Sequence, residues 1–260
     1  MAESDSFTLL LVDAPEVEPG ELKSALRWRI KDLIDFHVDD AVIDAFDVPG
    51  QQERGRQKLL YVVAAKRAAV QAHINQLEEE RINLSVIDIP ELAMRNISSL
   101  LPEDETGVAM LYLNDEGGLL GVTRQKELFL ARRLDLGLRQ LAAFVNASDK
   151  GEEEFTLDDA PAELSHDLRR AFDTIVLEVQ RSLDYYESHF ALPQVAGLVL
   201  APLEQPIPGL LDYLAQNLDV PVRMLDLNAL LHTEQHLSEP LQSQCLLPIG
   251  AALRESAKVL

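Results

Sequence analysis

Residues 21–47 have the sequence ELKSALRWRIKDLIDFHVDDAVIDAFD, and the rest of the chain can be placed around this stretch. Leucine or isoleucine recurs every three or four residues from Leu22 to Leu33, which predicts a helix with one apolar face. Pro19 precedes the run, where a proline fits the first helical turn because its missing N–H would have no partner there. The helical pattern ends at residues 35–37, and residues 41–48 have the composition of a strand. This stretch therefore predicts a helix, a turn and a strand.

Composition limits the function classes that fit this chain. With 260 residues and 47% apolar content, the chain can bury a real core, as one large domain or as two lobes. The net charge is −21, so the chain would repel nucleic acid and anionic membrane surfaces. Two interpretations of the acidity stay open: it serves solubility, or it serves a basic partner such as a positively charged juxtamembrane tail.

Targeting and redox signals are sparse. Cys245 is the single cysteine, which excludes an internal disulfide and a cysteine-rich metal framework. No stretch approaches the roughly 18 apolar residues of a membrane span, and residues 1–7, MAESDSF, lack the pattern of a signal peptide. We therefore expect a soluble, cytoplasmic protein.

The first hundred residues alternate between strand and helix patterns. Strands are predicted at 7–12, 41–48, 59–65 and 84–89, and helices at 67–81 and from residue 90 to about 101. Strands 41–48 and 59–65 are expected to pair antiparallel. This alternation predicts an α/β layer architecture.

The pattern changes after residue 106. Residues 107–134 predict three strands joined by two tight turns, an antiparallel meander. A helix at 137–145 and a polar, acidic loop at 146–162 follow. Residues 163–190 carry one continuous apolar stripe and predict a long core helix, with partner docking as the alternative. The remaining predicted elements are strands at 195–201 and 220–225 and helices at 209–218 and 241–255.

Three short stretches resemble one protein family. They are Arg27-Trp28-Arg29 followed by LIDFHVDD at 33–40 and Val42-Ile43-Asp44, then LSVIDIPELAMR at 84–95, and LPIGAALR at 247–254. They are similar to the "RWE", "YIPFP" and strand segments, the "VDVEAYALER" segment and the "ACGLAMR" helix of PilM/MshI-type proteins, which are cytoplasmic actin-like components of type IV (MSHA-type) pilus biogenesis.

The resemblance implies a fold and a division of the chain. The fold would be α/β, actin-like (ribonuclease H-like), with two lobes. Residues 7–100 would form a first-lobe portion, comprising a 1C-like subdomain and a connection, and residues 101–260 the second lobe. The first lobe would lack the N-terminal nucleotide hairpin of the family, because residues 7–12 correspond to a later strand.

The resemblance also implies a partner. The protein would be a scaffold of the inner-membrane assembly platform, cytoplasmic and attached to the membrane through partners. It would bind the cytoplasmic tail of a PilN-like membrane protein in a first-lobe groove, for which Arg27, Trp28 and Phe36 are the candidate residues. For Trp28, the sole tryptophan, packing in the core is the favoured interpretation, and contact with the tail is the alternative. Oligomerisation is possible.

The segments that would bind ATP in this family depart from its pattern. The second phosphate hairpin aligns with Asn114, Asp115, Gly117 and Gly118, where Ser and Thr donors are missing and acidic side chains would face the phosphate. The adenosine segment aligns with Ala201 and Pro202, and a proline removes an N–H donor. The sequence therefore predicts no ATP or Mg²⁺ binding, no catalytic residues and no ATPase activity.

Two alternatives and one metal question stay open. The chain could instead be the cytoplasmic actin-like domain of a type II secretion L-type protein, or an ATPase completed by missing N-terminal residues. His232 and His236 have the spacing of a zinc pair on a helix, but an exposed helix surface is the favoured interpretation, so no metal site is predicted.

Overall fold

The computed structural model describes residues 6–51, 58–149, 165–232 and 235–254. The chain divides into two compact units, Met1–Pro90 and Glu91–Leu260. This boundary lies ten residues before the one placed at residue 100 from the sequence, and it assigns helix 90–98 mainly to the second unit. The correspondence of the units to the two lobes of the family stays a prediction.

The first unit is a three-stranded antiparallel sheet with two helices. Its elements are β1 (Phe7–Asp13), α1 (Leu22–Ile30), β2 (Ala41–Asp47), β3 (Leu59–Lys66) and α2 (Arg67–Glu79). The strand order is β1-β3-β2, and β2 pairs antiparallel with β3 as the sequence predicted. Leu26 and Ile30 of α1 are fully buried and join the side chains of one sheet face in a single core cluster.

The second unit is built on a mixed five-stranded sheet of order β6-β5-β4-β7-β8. The strands are β4 (Val108–Leu113), β5 (Gly118–Arg124), β6 (Glu127–Leu134), β7 (Leu198–Leu200) and β8 (Val222–Met224). The first three form the predicted antiparallel meander, and β7 and β8 continue the sheet in parallel. Alternate residues of β4 enter two different cores, because side chains of a strand point to opposite faces.

Helices cover both faces of this sheet. They are α3 (Pro90–Ser98), α4 (Leu138–Asp149), α5 (His166–Phe190), α6 (Leu210–Asn217), α7 (Leu227–Leu230) and α8 (Glu239–Ala252). The apolar stripe of α5, from Leu168 to Tyr186, is buried in the larger core, which confirms the predicted core helix. The hydroxyl of Ser165 caps this helix by accepting a hydrogen bond from the Leu168 N–H. None of the described helices is long and apolar enough to span a bilayer.

Four expectations about local structure need correction or fall outside the described residues. Residues 84–89 form no strand, and Leu84 and Val86 are exposed, so their apolar character does not come from a buried sheet position. Helix α1 ends at Ile30, which leaves Leu33 54% exposed beyond the helix. His232 and His236 follow the end of α7 and are not on a helix, so the zinc-pair spacing loses its meaning. Most of the predicted loop at 146–162 lies outside the described residues.

Candidate functional site

The turn between β4 and β5 is closed by the side chain of Asn114. Its Oδ1 atom accepts hydrogen bonds from the backbone N–H groups of Glu116 at 3.0 Å and Gly117 at 2.8 Å. The Asn114 N–H in turn donates to the carbonyl of Gly117 at 2.9 Å. Asparagine favours this arrangement because its short amide can satisfy the backbone two residues on. The two N–H groups at the tip of the turn are therefore already engaged within the protein.

The glycines of this turn are explained by close packing. A Cβ atom on Gly117 would lie 2.6 Å from the carbonyl oxygen of Leu134, and one on Gly118 would lie 2.8 Å from the Leu113 side chain. Neither glycine has a positive φ angle. The absence of a side chain at both positions thus serves contact with β6 and β4, and it does not require a phosphate.

The surroundings of the turn are acidic. Burial raises the pKa of the Tyr112 phenol, and the nearby negative charges of Glu204 and Asp115 raise it further. One cation lies close to this group, since Arg139 Nη2 is 3.4 Å from the carboxylate of Asp115. A phosphate placed here would meet like charge, as the sequence predicted.

Neither Ala201 nor Pro202, in the segment aligned with adenosine binding, offers a free backbone donor. The N–H of Ala201 donates to the carbonyl of Leu111 at 2.8 Å, and Pro202 has no N–H. Pro202 forms part of the wall of a cavity of about 390 Å³ at the carboxyl ends of β7 and β8. The segment aligned with adenosine binding therefore borders a cavity with a mainly apolar wall.

Two of the three candidate partner residues hold the turn after α1. Arg27 Nη1 donates to the carbonyl of Val38 at 2.8 Å, and Nη2 lies 3.4 Å from the carbonyl of Ala41. Phe36 packs against the core of the first unit, with the Lys66 ammonium 5.5 Å from its ring centre. Both side chains therefore have structural roles, whatever else they contact.

Trp28 differs from these two residues. Its side chain is 74% exposed, and the Lys31 ammonium lies 5.2 Å from the ring centre. The favoured interpretation of Trp28 as a core residue is wrong, because α1 turns Leu26 and Ile30 to the sheet and Trp28 to solvent. Of the three candidate residues, Trp28 is the one that is free to contact a partner.

Glu91 is a buried acid that the sequence did not single out. It is 2% exposed at the start of α3, and its Oε1 lies 3.2 Å from Arg133 Nη2 on β6. Burial raises the pKa of Glu91, and the Arg133 charge offsets only part of this effect. Its position after Pro90 indicated a helix start, but nothing local could indicate a partner 42 residues away.

Comparisons with known proteins give a family and a fold. A family model described as "Type IV pilus assembly protein PilM" matches residues 7–256. The structure is similar to a chain of a PilM-PilN type IV pilus biogenesis complex, with a TM-score of 0.72 and 20% identity over 96% of this chain and 77% of that one. No curated protein matches the chain in sequence.

Two further solved structures are similar to parts or all of the chain. MreB5 of Spiroplasma citri bound to ADP gives a TM-score of 0.52 and 12% identity over 73% of this chain and 65% of that one. The cytoplasmic domain of EpsL, an inner membrane component of the type II secretion system of Vibrio cholerae, gives 0.43 and 11% over 97% and 73%, too low a score to carry an argument. The likenesses above a TM-score of 0.5 confirm the predicted α/β actin-like fold.

Proposed function

Since this chain belongs to the family of type IV pilus assembly proteins named PilM, we propose that it is a non-catalytic scaffold of the pilus inner-membrane platform. The platform would be of the MSHA type, a proposal that rests on the resemblance of residues 27–44 to PilM/MshI-type proteins. The protein would be cytoplasmic and held at the membrane by its partners. The family match favours this function over the type II secretion alternative.

The proposal that the scaffold is non-catalytic rests on the structure of the β4–β5 turn. Actin-like ATPases need free backbone N–H groups to cradle the phosphates of ATP. Here the N–H groups of Glu116 and Gly117 are bonded to Asn114, and Asp115 and Glu116 bring negative charge to the same turn. Binding a phosphate would require breaking these hydrogen bonds and bringing like charges together, and the nearby cation, Arg139, is already paired with Asp115.

The proposed partner is the cytoplasmic tail of a PilN-like membrane protein. A PilM-PilN complex is the source of the solved structure reported above, and that pairing is transferred here as part of the proposal. Cytoplasmic segments next to a membrane span carry an excess of Lys and Arg. A chain with a net charge of −21 attracts such a tail and accelerates the encounter.

Trp28 is the proposed contact for this tail. Exposed tryptophans that become buried on binding contribute strongly to protein interfaces, and Arg27 and Phe36 fix the turn beside α1. Thermal unfolding with a saturating tail peptide, and separately with Mg·ATP, tests the proposal. A ligand at 100 times its Kd stabilises by about 2.7 kcal/mol, which raises the midpoint of a chain of this size by about 5–10 °C.

We expect the tail peptide to raise the midpoint and Mg·ATP to leave it unchanged. Trp28→Ala should weaken tail binding by about tenfold or more and should change the free energy of unfolding by less than about 0.5 kcal/mol. Leu177→Ala is the matched control, because Leu177 is 44% exposed on α5 of the second unit. A midpoint raised by Mg·ATP would refute the predicted loss of ATP binding, and a tail that binds Trp28→Ala normally would refute the contact.

A further inference from the structure

The cavity at the carboxyl ends of β7 and β8 has the size and position of a ligand site. Its volume of about 390 Å³ falls within the range of about 300–1,000 Å³ typical of small-molecule pockets. Leu200 ends β7, Met224 ends β8, and the two strands run parallel. In open α/β sheets, ligands bind outside the carboxyl ends of the strands.

The walls of the cavity are apolar, and its charge is negative. Ten of its fourteen lining residues are aliphatic, proline or methionine, and the four polar ones are Asp226, His236, Glu239 and Gln242. No Lys or Arg occurs among these described lining residues. A ligand would therefore meet an apolar enclosure with carboxylates and no fixed cation from Lys or Arg.

The polar side chains that line the cavity differ in whether they are free to contact a ligand. Gln242 is used internally, since its Oε1 accepts from the Leu227 N–H at 2.7 Å and its Nε2 donates to the Leu237 carbonyl at 3.2 Å. Asp226 accepts from the Asn228 N–H through Oδ1 at 2.9 Å, and this bond holds the pKa of Asp226 below its usual range. Glu239 is exposed in the first turn of α8. Asp226 and Glu239 thus present anionic charge at the cavity.

We infer that this cavity binds a small organic cation, a compound with an apolar or aromatic body and one protonated amine. The body fits among Leu203, Ile207 and Met224, and the amine lies towards Asp226 and Glu239. The inference does not depend on the proposed scaffold function, and it assigns the cavity to a ligand class that carries charge opposite to a nucleotide. Phosphate groups would be repelled by the same two carboxylates.

The test uses the whole chain with three probes of the same ring and different charge: benzylamine, benzyl alcohol and benzoate. Methionine methyl groups labelled with carbon-13 report the binding by NMR. Met224 lines the cavity and is 38% exposed, while Met94 and Met110 are buried in the core and serve as internal references. We expect benzylamine to shift the Met224 methyl signal and to bind about tenfold more tightly than benzoate, because an exposed ion pair contributes up to about 1 kcal/mol and a like-charge pair opposes binding.

Two variants separate charge from shape. Glu239→Gln should reduce benzylamine affinity by about threefold to fivefold and leave benzyl alcohol unchanged, and the exposed Glu105→Gln is the matched control in the same unit. Ile207→Trp should fill the cavity and abolish binding of all three probes. The inference is overturned if benzoate binds as well as benzylamine, if adenosine binds more tightly than benzylamine, or if none of the probes shifts the Met224 signal selectively.

Discussion

The Oδ1 atom of Asn114 accepts hydrogen bonds from two backbone N–H groups that a phosphate-binding turn would keep free. One side chain therefore decides what the turn can bind, because each N–H group forms one good hydrogen bond at a time. A similar dependence on one residue holds for Arg27, whose guanidinium joins α1 to the carbonyls of Val38 and Ala41. Trp28, its neighbour, has no such internal role and remains exposed.

Glu91 gives a pH-dependent prediction at the scale of one residue. Its folded-state pKa is raised above the ordinary value of 4.5, so the folded protein binds more protons than the unfolded chain between 4.5 and the raised value. Stability contributed by Glu91 therefore falls as the pH rises through this window. Urea unfolding of the wild type and of Glu91→Gln measures the effect.

We expect the free energy of unfolding of the wild type, relative to Glu91→Gln, to decrease as the pH is raised from 4.5. The Gln variant lacks the titrating group, so all other acids cancel in the difference. A difference that stays constant or increases with pH would show that the pairing with Arg133 outweighs burial, which is the reverse of the assigned order of causes.

The β4–β5 turn and the N-terminus of helix α4 are joined by two backbone hydrogen bonds, and we call this contact the turn–helix joint. The first N–H groups of α4, from Leu138 and Arg139, donate to the carbonyls of Asn114 at 2.7 Å and Asp115 at 3.2 Å. A helix N-terminus is a natural anion site because its first N–H groups lack partners within the helix. In this protein the carbonyl groups of the turn occupy the anion position at the N-terminus of α4. The helix therefore stabilises the turn, and the N–H groups of Leu138 and Arg139 are not free for an anion.

Gly137 is the closest contact in this joint. A Cβ atom there would lie 2.4 Å from the Asp115 carbonyl oxygen and 2.5 Å from the Gly117 nitrogen. Gly137→Ala should therefore lower the free energy of unfolding by about 1–3 kcal/mol through overpacking, as measured by urea denaturation. Gly20→Ala is the control, because no atom lies within 4 Å of its added Cβ, and it should change stability by less than about 0.5 kcal/mol. Equal effects of the two substitutions on the free energy of unfolding would contradict the close packing at Gly137.

At the scale of the whole molecule, each core belongs to one unit. The cluster around Leu26 and Ile30 draws all its buried members from the first unit, and the two clusters on the faces of the five-stranded sheet draw all of theirs from the second. Burial of apolar surface is the main favourable term in folding. Each unit therefore contains its own source of stability, and that source is much larger in the second.

We expect residues 90–260 to fold when expressed without the preceding residues. Circular dichroism should show helical structure and one cooperative thermal transition, because neither of its two cores uses a residue from the first unit. Residues 1–89 have a core of eight buried residues, and an isolated unit of this size is expected to be marginally stable. If the isolated residues 90–260 unfold without cooperativity, the cores of the second unit depend on the first unit.

Elements whose patterns are long and local could be predicted from the amino-acid sequence. The meander at 107–134, the core helix α5 and the pairing of β2 with β3 were predicted because period, turn residues and apolar runs are properties of adjacent residues. The same holds for the loss of Ser and Thr donors at the β4–β5 turn. Segment 84–89 was wrongly predicted to be a strand, because its apolar residues satisfy the strand pattern. A strand also needs a pairing partner, which the local sequence does not reveal.

The contacts between side chains on different elements could not be predicted from the sequence. The tertiary structure bonds Asn114 to the tip of its own turn, places Arg133 beside Glu91, turns Trp28 to solvent and brings Leu203, Ile207 and Met224 to the wall of one cavity. Such contacts depend on the relative positions of whole helices and strands. Periodicity fixes which face of an element is apolar, but the partner that covers this face, or leaves it exposed, is set when the elements pack.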